Sequence, residues 1–303
     1  MAIKSFVVLF FLFLTSTSGN TQTSGKSEAG STSDNRFVLL AAHRGGFDSD
    51  LPENSLALFN FTCSNTALKP VILELDIRAS KSGSLYLMHD ETLERTTSGR
   101  GCIAESDDDY LNSLLLRDRN SQLTNQKIPL LSQVLQEYKD KEVILMLDVK
   151  GNIHREVTEM LKITGMEAQC IMLTFKPEIT KSCFTASSKM KISALVRNPE
   201  DWASVRNLSI PANQLIVYFD KNISDSLLSE IGSMGILLMT DMNESLTNHG
   251  KPFSAEIYSE LIKRKKTDIL ITDFPAAVSQ MIVSKYEKPQ SIPAEVLNQP
   301  KLK

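Results

Sequence analysis

The stretch LELDIRASKSGSLYLMHD, residues 73 to 90, holds two β-type runs on either side of a Lys-Ser-Gly turn, with Glu74, Asp76 and His89 where a core strand would carry Val or Leu. A parallel crossover takes about a dozen residues, and the link from Ile77 to Ser84 is far shorter, so the two runs must pair as an antiparallel hairpin. That decides how the rest of the chain is counted. Nine β-type runs occur, at 36–43, 71–77, 84–90, 142–150, 169–175, 191–196, 214–219, 235–240 and 268–273. Helical patterns lie between them, at 53–65, 130–139, 153–165, 199–208, 224–235 and 254–266. Most of the β-type runs are continuously apolar, as in parallel strands covered on both faces. Setting aside the returning arm of the hairpin leaves eight strands alternating with helices. The expected fold is α/β: a (β/α)8 TIM barrel with a β-hairpin extension at the C-terminal rim of its second strand.

One barrel domain over 36–290 accounts for most of the 303 residues, followed by a tail at 291–303. Ahead of it, MAIKSFVVLFFLFL places Lys4 before an apolar run from Phe6 to Leu14, then small polar residues, the layout of a signal peptide over 1–19. The run is too short for a membrane span, which needs about 20 residues, so an exported chain, secreted or periplasmic, with no stable membrane span after cleavage is expected. Residues 20–35 are Ser-, Thr- and Gly-rich and read as a disordered lead-in. A formal charge of −3 with no basic stripe excludes nucleic acid as a partner class. Cys63, Cys102, Cys170 and Cys183 permit two disulfides or four buried thiols, and sequons stand at Asn60, Asn207, Asn222 and Asn243.

Several strands end in polar residues: His43-Arg44, Glu74 and Asp76, Asp148 and Lys150, Thr240-Asp241, Thr272-Asp273. In a barrel those ends converge on the face where active sites are built. Period-2 alternation puts Glu74 and Asp76 on one strand face, about 7 Å apart. A two-residue loop at Ser82-Gly83 would place His89 opposite Asp76. Asp148 adds a third carboxylate, and three carboxylates without a nearby thiol suit a hard divalent cation, Mg²⁺ or Ca²⁺. Arg44 and Lys150 suit a phosphate held against that ion. His43 and His89 can do acid/base work, whereas His154 and His249 read as surface residues. Together these groups point to phosphoester cleavage.

At these residues the chain resembles the glycerophosphodiester phosphodiesterase family. The resemblance runs through AHRGGFDSDLPENSLALF (42–59), LELDIRASKSGSLYLMHDETLERTTSGRG (73–101), IPLLSQVL (128–135), LMLDVK (145–150) and DILITDFP (268–275). It implies a (β/α)8 barrel, His43 and His89 as catalytic acid/base pair, Glu74, Asp76 and Asp148 as divalent-cation ligands, and Arg44 and Lys150 on the phosphate. The implied substrate is a small-molecule glycerophosphodiester, hydrolysed to glycerol 3-phosphate and an alcohol. The chain departs from the family pattern at Asp148, where Glu is usual, and at Met239, where Trp is common. The alternatives are a lysolipid- or sphingolipid-directed phosphodiesterase of the same barrel type, which predicts an apolar rim at the mouth, and a non-catalytic barrel that binds a phosphorylated ligand.

Overall fold

Each of the nine apolar runs is a strand in the computed structural model, which describes residues 38–285. The expected signal peptide (1–19), lead-in (20–35) and tail (291–303) lie outside the described residues. In chain order the elements are β1 (Leu39–Ala42), α1 (Leu56–Asn65), β2 (Val71–Ala79), β3 (Leu85–Leu87), α2 (Asp108–Ser113), α3 (Leu131–Tyr138), β4 (Val143–Val149), α4 (His154–Thr164), β5 (Cys170–Thr174) and α5 (Pro177–Ala186). They continue with β6 (Lys191–Val196), α6 (Pro199–Arg206), β7 (Leu215–Phe219), α7 (Asp225–Ser233), β8 (Leu237–Asp241), α8 (Glu244–Thr247), α9 (Ala255–Arg264), β9 (Ile269–Thr272) and α10 (Pro275–Lys285). Helices α2, α5, α8 and α10 lie outside the helical patterns read from the sequence. The strand order β1-β9-β8-β7-β6-β5-β4-β2 closes through a parallel β1–β2 pairing, and β3 hangs antiparallel on β2, giving a closed (β/α)8 barrel with its hairpin.

Alternation sorts each strand. Inward residues such as Ile72, Met146, Ile171, Ile216 and Met239 fill the barrel, and outward ones such as Leu73, Leu145 and Leu147 pack on α3 and α4. Helix starts follow the local chemistry: the Ser55 and Ser224 side chains accept the backbone N–H of Leu58 and Leu227, and Pro199 opens α6 behind the Asn198 cap. Residues 88–130 pack with Tyr86 of β3 into a further small core that includes Met88, Leu93 and Leu111.

The hairpin register differs from the sequence expectation. Ile77 faces Leu87 and the Met88 N–H reaches the Asp76 carbonyl at 3.0 Å, so Asp76 stands opposite Met88, not His89. The loop has three residues, Lys81 to Gly83, rather than two: Ser80 N–H bonds Ser84 O at 2.9 Å, and Gly83, at φ +88°, returns its N–H to Ser80 O. Asp108 pins the turn by accepting the Ser80 and Ser84 hydroxyls at 2.6 Å each. The four cysteines are free thiols, with Cys170 and Cys183 buried and Cys63 and Cys102 half-buried. Among the described residues no helix is long and apolar enough to cross a membrane.

Candidate active site

The inward rows of the strands carry the site at their C-terminal ends. On β2 the row continues from Ile72 to Glu74 and Asp76, and on β4 from Ile144 and Met146 to Asp148, with Asp76 and Asp148 in register. Glu74, Asp76 and Asp148 each offer an oxygen within 4.8 Å of the others. All are hard oxygen donors, the set that suits Mg²⁺ or Ca²⁺.

The surroundings only partly neutralise these charges. Lys150 Nζ lies 3.0 Å from Asp76 Oδ1 and 2.6 Å from Asp148 Oδ2, so in this structure it serves two of the carboxylates. Burial pushes Asp76 up, but Lys150, His89, Arg44 and the Asn54 amide outweigh it and hold it low. Glu74 accepts the Arg44 backbone N–H at 2.7 Å, yet burial and then the Asp76 charge raise its pKa to about 8. A buried carboxylate left short of positive charge is the feature that a divalent ion would relieve.

The HRGG segment bends to reach this cluster. Arg44 takes φ +52°, and Gly45 and Gly46 follow at +93° and +96°. A Cβ at Gly45 would lie 2.7 Å from the Phe59 ring, and one at Gly46 2.8 Å from Pro275, so both must be glycine. Arg44 then spans the site: Nη1 donates to Glu53 at 3.2 Å, while the buried Nε stands 3.7 Å from Asp76 with no hydrogen-bond acceptor. Asn54, also in the left-handed region, donates to Asp76 Oδ2 at 2.8 Å and accepts the Asp76 N–H at 3.0 Å.

Both imidazoles are held through Nδ1 by a carboxylate, at 2.7 Å in each case: His43 by Asp273 at the end of β9, His89 by its neighbour Asp90. That leaves Nε2 of each ring for other work. Burial lowers the His43 pKa, but the Asp273 hydrogen bond and the Glu74 charge outweigh it and raise the value to about 9. For His89 burial prevails over Asp76, and the pKa is lowered. The one-residue register shift would turn His89 from the site by strict alternation. However, the chain leaves the strand after Leu87 and bends at His89, and the ring stays within the fields of Asp76, Arg44 and Lys150.

Several contributors escaped the sequence reading. Arg95 forks onto Glu53 at 2.8 Å through both terminal nitrogens and onto Asp90 at 2.5 and 2.9 Å, so one guanidinium joins the arm of Arg44 to that of His89. Asp273 accepts the Ser245 N–H at 2.6 Å, and buried Glu244 accepts the Asp273 N–H at 3.0 Å. Asn54 and Arg95 lie in the quoted PEN and RTT segments, and Asp273 is one of the polar strand ends, so a signal was present for each. His154 is not a surface residue: it opens α4, half-buried, with Nδ1 shielded and unpartnered and its ring in the field of Asp148. His249 is exposed, as expected.

These residues fall within a match to the Glycerophosphoryl diester phosphodiesterase family over residues 43–277, and the chain belongs to that family. Human Glycerophosphodiester phosphodiesterase 1 is 32% identical over 170 residues, which cover 54% of this chain and 50% of the human protein. The chain thus matches about half the length of that relative. The crystal structure of a glycerophosphoryl diester phosphodiesterase from Parabacteroides distasonis superposes with a TM-score of 0.74 at 25% identity, covering 83% of this chain and 88% of that one. An Oleispira antarctica phosphodiesterase, solved in complex with the product sn-glycerol-3-phosphate, shares the fold at 18% identity, with a TM-score of 0.61 over 81% of this chain and 97% of its own.

Proposed function

We propose that the chain hydrolyses glycerophosphodiesters to glycerol 3-phosphate and an alcohol. The observation that carries this is the joint placement of three carboxylates within 4.8 Å and two imidazoles whose Nδ1 atoms are already occupied. Glu74, Asp76 and Asp148 would hold a divalent cation, Mg²⁺ or Ca²⁺, which when bound supplies Lewis-acid polarisation of the phosphoryl oxygens and countercharge for Glu74.

The remaining chemistry belongs to side chains. Arg44, whose Nε lacks an acceptor, and Lys150 would bind non-bridging phosphate oxygens. His89, with its lowered pKa, is the base: it takes the proton from the attacking oxygen, a glycerol hydroxyl or a water, as that oxygen bonds to phosphorus. His43, held protonated by Asp273, gives its proton to the leaving alcohol oxygen as the phosphorus–oxygen bond breaks. A cation on the triad would cancel the contribution of Glu74 to His43, leaving the Asp273 hydrogen bond to keep that proton in place. Attack by water yields both products directly; attack by the glycerol hydroxyl gives a cyclic phosphate that a second, water-borne attack opens.

We further propose that the activity lies outside the cytoplasm, a reading supported by the basic start and short apolar run in residues 1–19. The test of the reaction is incubation of the purified chain with a glycerophosphodiester, with and without EDTA, scored by glycerol 3-phosphate release. Release that chelation abolishes and Mg²⁺ or Ca²⁺ restores is expected. Release that survives metal removal would overturn the ion's role, and no release from any glycerophosphodiester would overturn the function.

A further inference from the structure

We propose that Arg95 is a positioning residue that sets the two arms of the site against each other, holding His89 through Asp90 and Arg44 through Glu53. The inference rests on the phosphodiesterase function above and adds a residue to it. Arg95 heads the RTT run, and the fold accounts for the two threonines first. The Thr97 N–H and hydroxyl both donate to the Leu93 carbonyl, at 3.0 and 2.6 Å, closing a tight arc over residues 93–97. Arg117 grips that arc, with its N–H on the Thr96 carbonyl at 2.7 Å and its Nε on the Thr97 carbonyl at 2.8 Å. The buried Thr96 hydroxyl turns to Met88 Sδ at 3.1 Å, one residue before His89. The arc is therefore fixed beside the end of the hairpin, and Arg95 is the member whose side chain leaves it for the site.

Its guanidinium makes four hydrogen bonds to two carboxylates. Nη1 and Nη2 take the two oxygens of Glu53, and Nε and Nη2 those of Asp90. One oxygen on each carboxylate is shared with the site: Asp90 Oδ1 also holds His89 Nδ1 at 2.7 Å, and Glu53 Oε1 also accepts Arg44 Nη1 at 3.2 Å. The Arg95 bonds keep the Asp90 carboxyl well below its usual range, so His89 meets a carboxylate held in one orientation. With both Glu53 oxygens taken at 2.8 Å, Arg44 keeps only the longer contact, and its Nε has no acceptor in the chain. Without Arg95, Asp90 would be free to turn from His89, and Glu53 would compete with a phosphate for Arg44. A planar fork of parallel donors can span two carboxylates in this way, whereas an ammonium is a point charge. The Arg95 side chain is 48% exposed, so its polar contacts, and not burial, are what it brings to the fold.

The test measures glycerol 3-phosphate release from glycerophosphodiesters by the wild-type chain, Arg95→Ala and Arg95→Lys. Arg95→Ala should lower kcat/KM by about 10- to 100-fold, the scale on which partners that orient a working side chain act. Guanidinium chloride at non-denaturing concentration should restore part of that loss where sodium chloride does not, a rescue that a misfolded variant would not show. Arg95→Lys, which keeps the charge and loses the fork, should remain impaired by about 10-fold. Because Arg95 acts through the two carboxylates, adding Asp90→Asn or Glu53→Gln to Arg95→Ala should cost no more than about 2-fold further. Costs that multiply in full, an Arg95→Lys equal to wild type, or an Arg95→Ala that guanidinium does not restore would each overturn the positioning role while hydrolysis itself stands. A wild type that releases no glycerol 3-phosphate overturns the phosphodiesterase function and this role with it.

Discussion

The β1–β4 side of the barrel mouth and the β5–β8 side are produced by the same strand alternation, yet they differ in how their polar groups are held. On the first, every carboxylate and imidazole has a partner: Asn54 and Lys150 on Asp76, Arg44 on Glu74, Asp273 on His43, Asp90 on His89. On the second, Asp241 accepts a backbone N–H of Asn243 and, at 3.4 Å, the Tyr218 hydroxyl, while Phe175 is half-exposed. Groups that move protons or hold an ion must be fixed before substrate arrives, so their geometry is built into the apo chain.

The largest effects should come from breaking the fixed side. Glu74→Ala or Asp76→Ala is expected to reduce glycerol 3-phosphate release by about 10³-fold or more, as loss of an ion's charge stabilisation does. His43→Ala and His89→Ala should each cost at least ~10²-fold, and activity equal to wild type in either would sink the proton-transfer roles.

Smaller changes separate the two imidazoles. Asp273→Asn removes the hydrogen bond that raises the His43 pKa, so the alkaline limb of the kcat/KM profile should move to lower pH with about a 10-fold loss near neutrality. Asp90→Asn removes a contribution that raises the His89 pKa, so the acid limb should also move to lower pH. Limbs that stay in place in both variants would refute the assignment of acid and base.

The hairpin shows how far the sequence was legible. Nine apolar runs and one link too short for a crossover were enough to define the barrel, because those depend on local pattern and chain length. The turn was not: nothing local distinguishes a two-residue loop from the three-residue loop closed by Gly83, and the deciding contact comes from Asp108, 24 and 28 positions beyond the two serines it binds. The carboxylates and both histidines stood out as polar residues in apolar strands. Arg95 and Glu53 stood out only as parts of the PEN and RTT segments of the resemblance, since charged residues in loops are ordinary until a fold brings them together.

The unmet charge on Glu74 gives a pH-dependent prediction for stability. The folded-state pKa of Glu74 is raised from 4.5 to about 8, and that of His43 from 6.5 to about 9. Each contribution is fully present below the unfolded value and is lost as pH rises through the folded one. The metal-free chain should therefore lose thermal stability between roughly pH 5 and pH 9. Added Mg²⁺ or Ca²⁺ should raise Tm by more at pH 9 than at pH 5, because binding requires Glu74 deprotonated. An equal rise at both pH values, read by differential scanning calorimetry, would contradict the assignment of Glu74 as a ligand. The smallest effect is expected from Asp148→Glu, where one added methylene should change the preference between Mg²⁺ and Ca²⁺ while total activity stays within about 10-fold.

His43 stands near the start of the described residues, and the carboxylate that orients it, Asp273, is 230 positions further on. At a synthesis rate of about 5–20 residues per second, roughly 10–50 s separate the two residues on the ribosome. During that interval Glu74, Asp76, His89 and Asp148 have all been made, but the ring of His43 has no partner to fix its tautomer. The proposed acid therefore gains its orienting carboxylate only once β9 has been made, and a product truncated before β9 is expected to hold the carboxylates and both imidazoles without the contact that fixes His43.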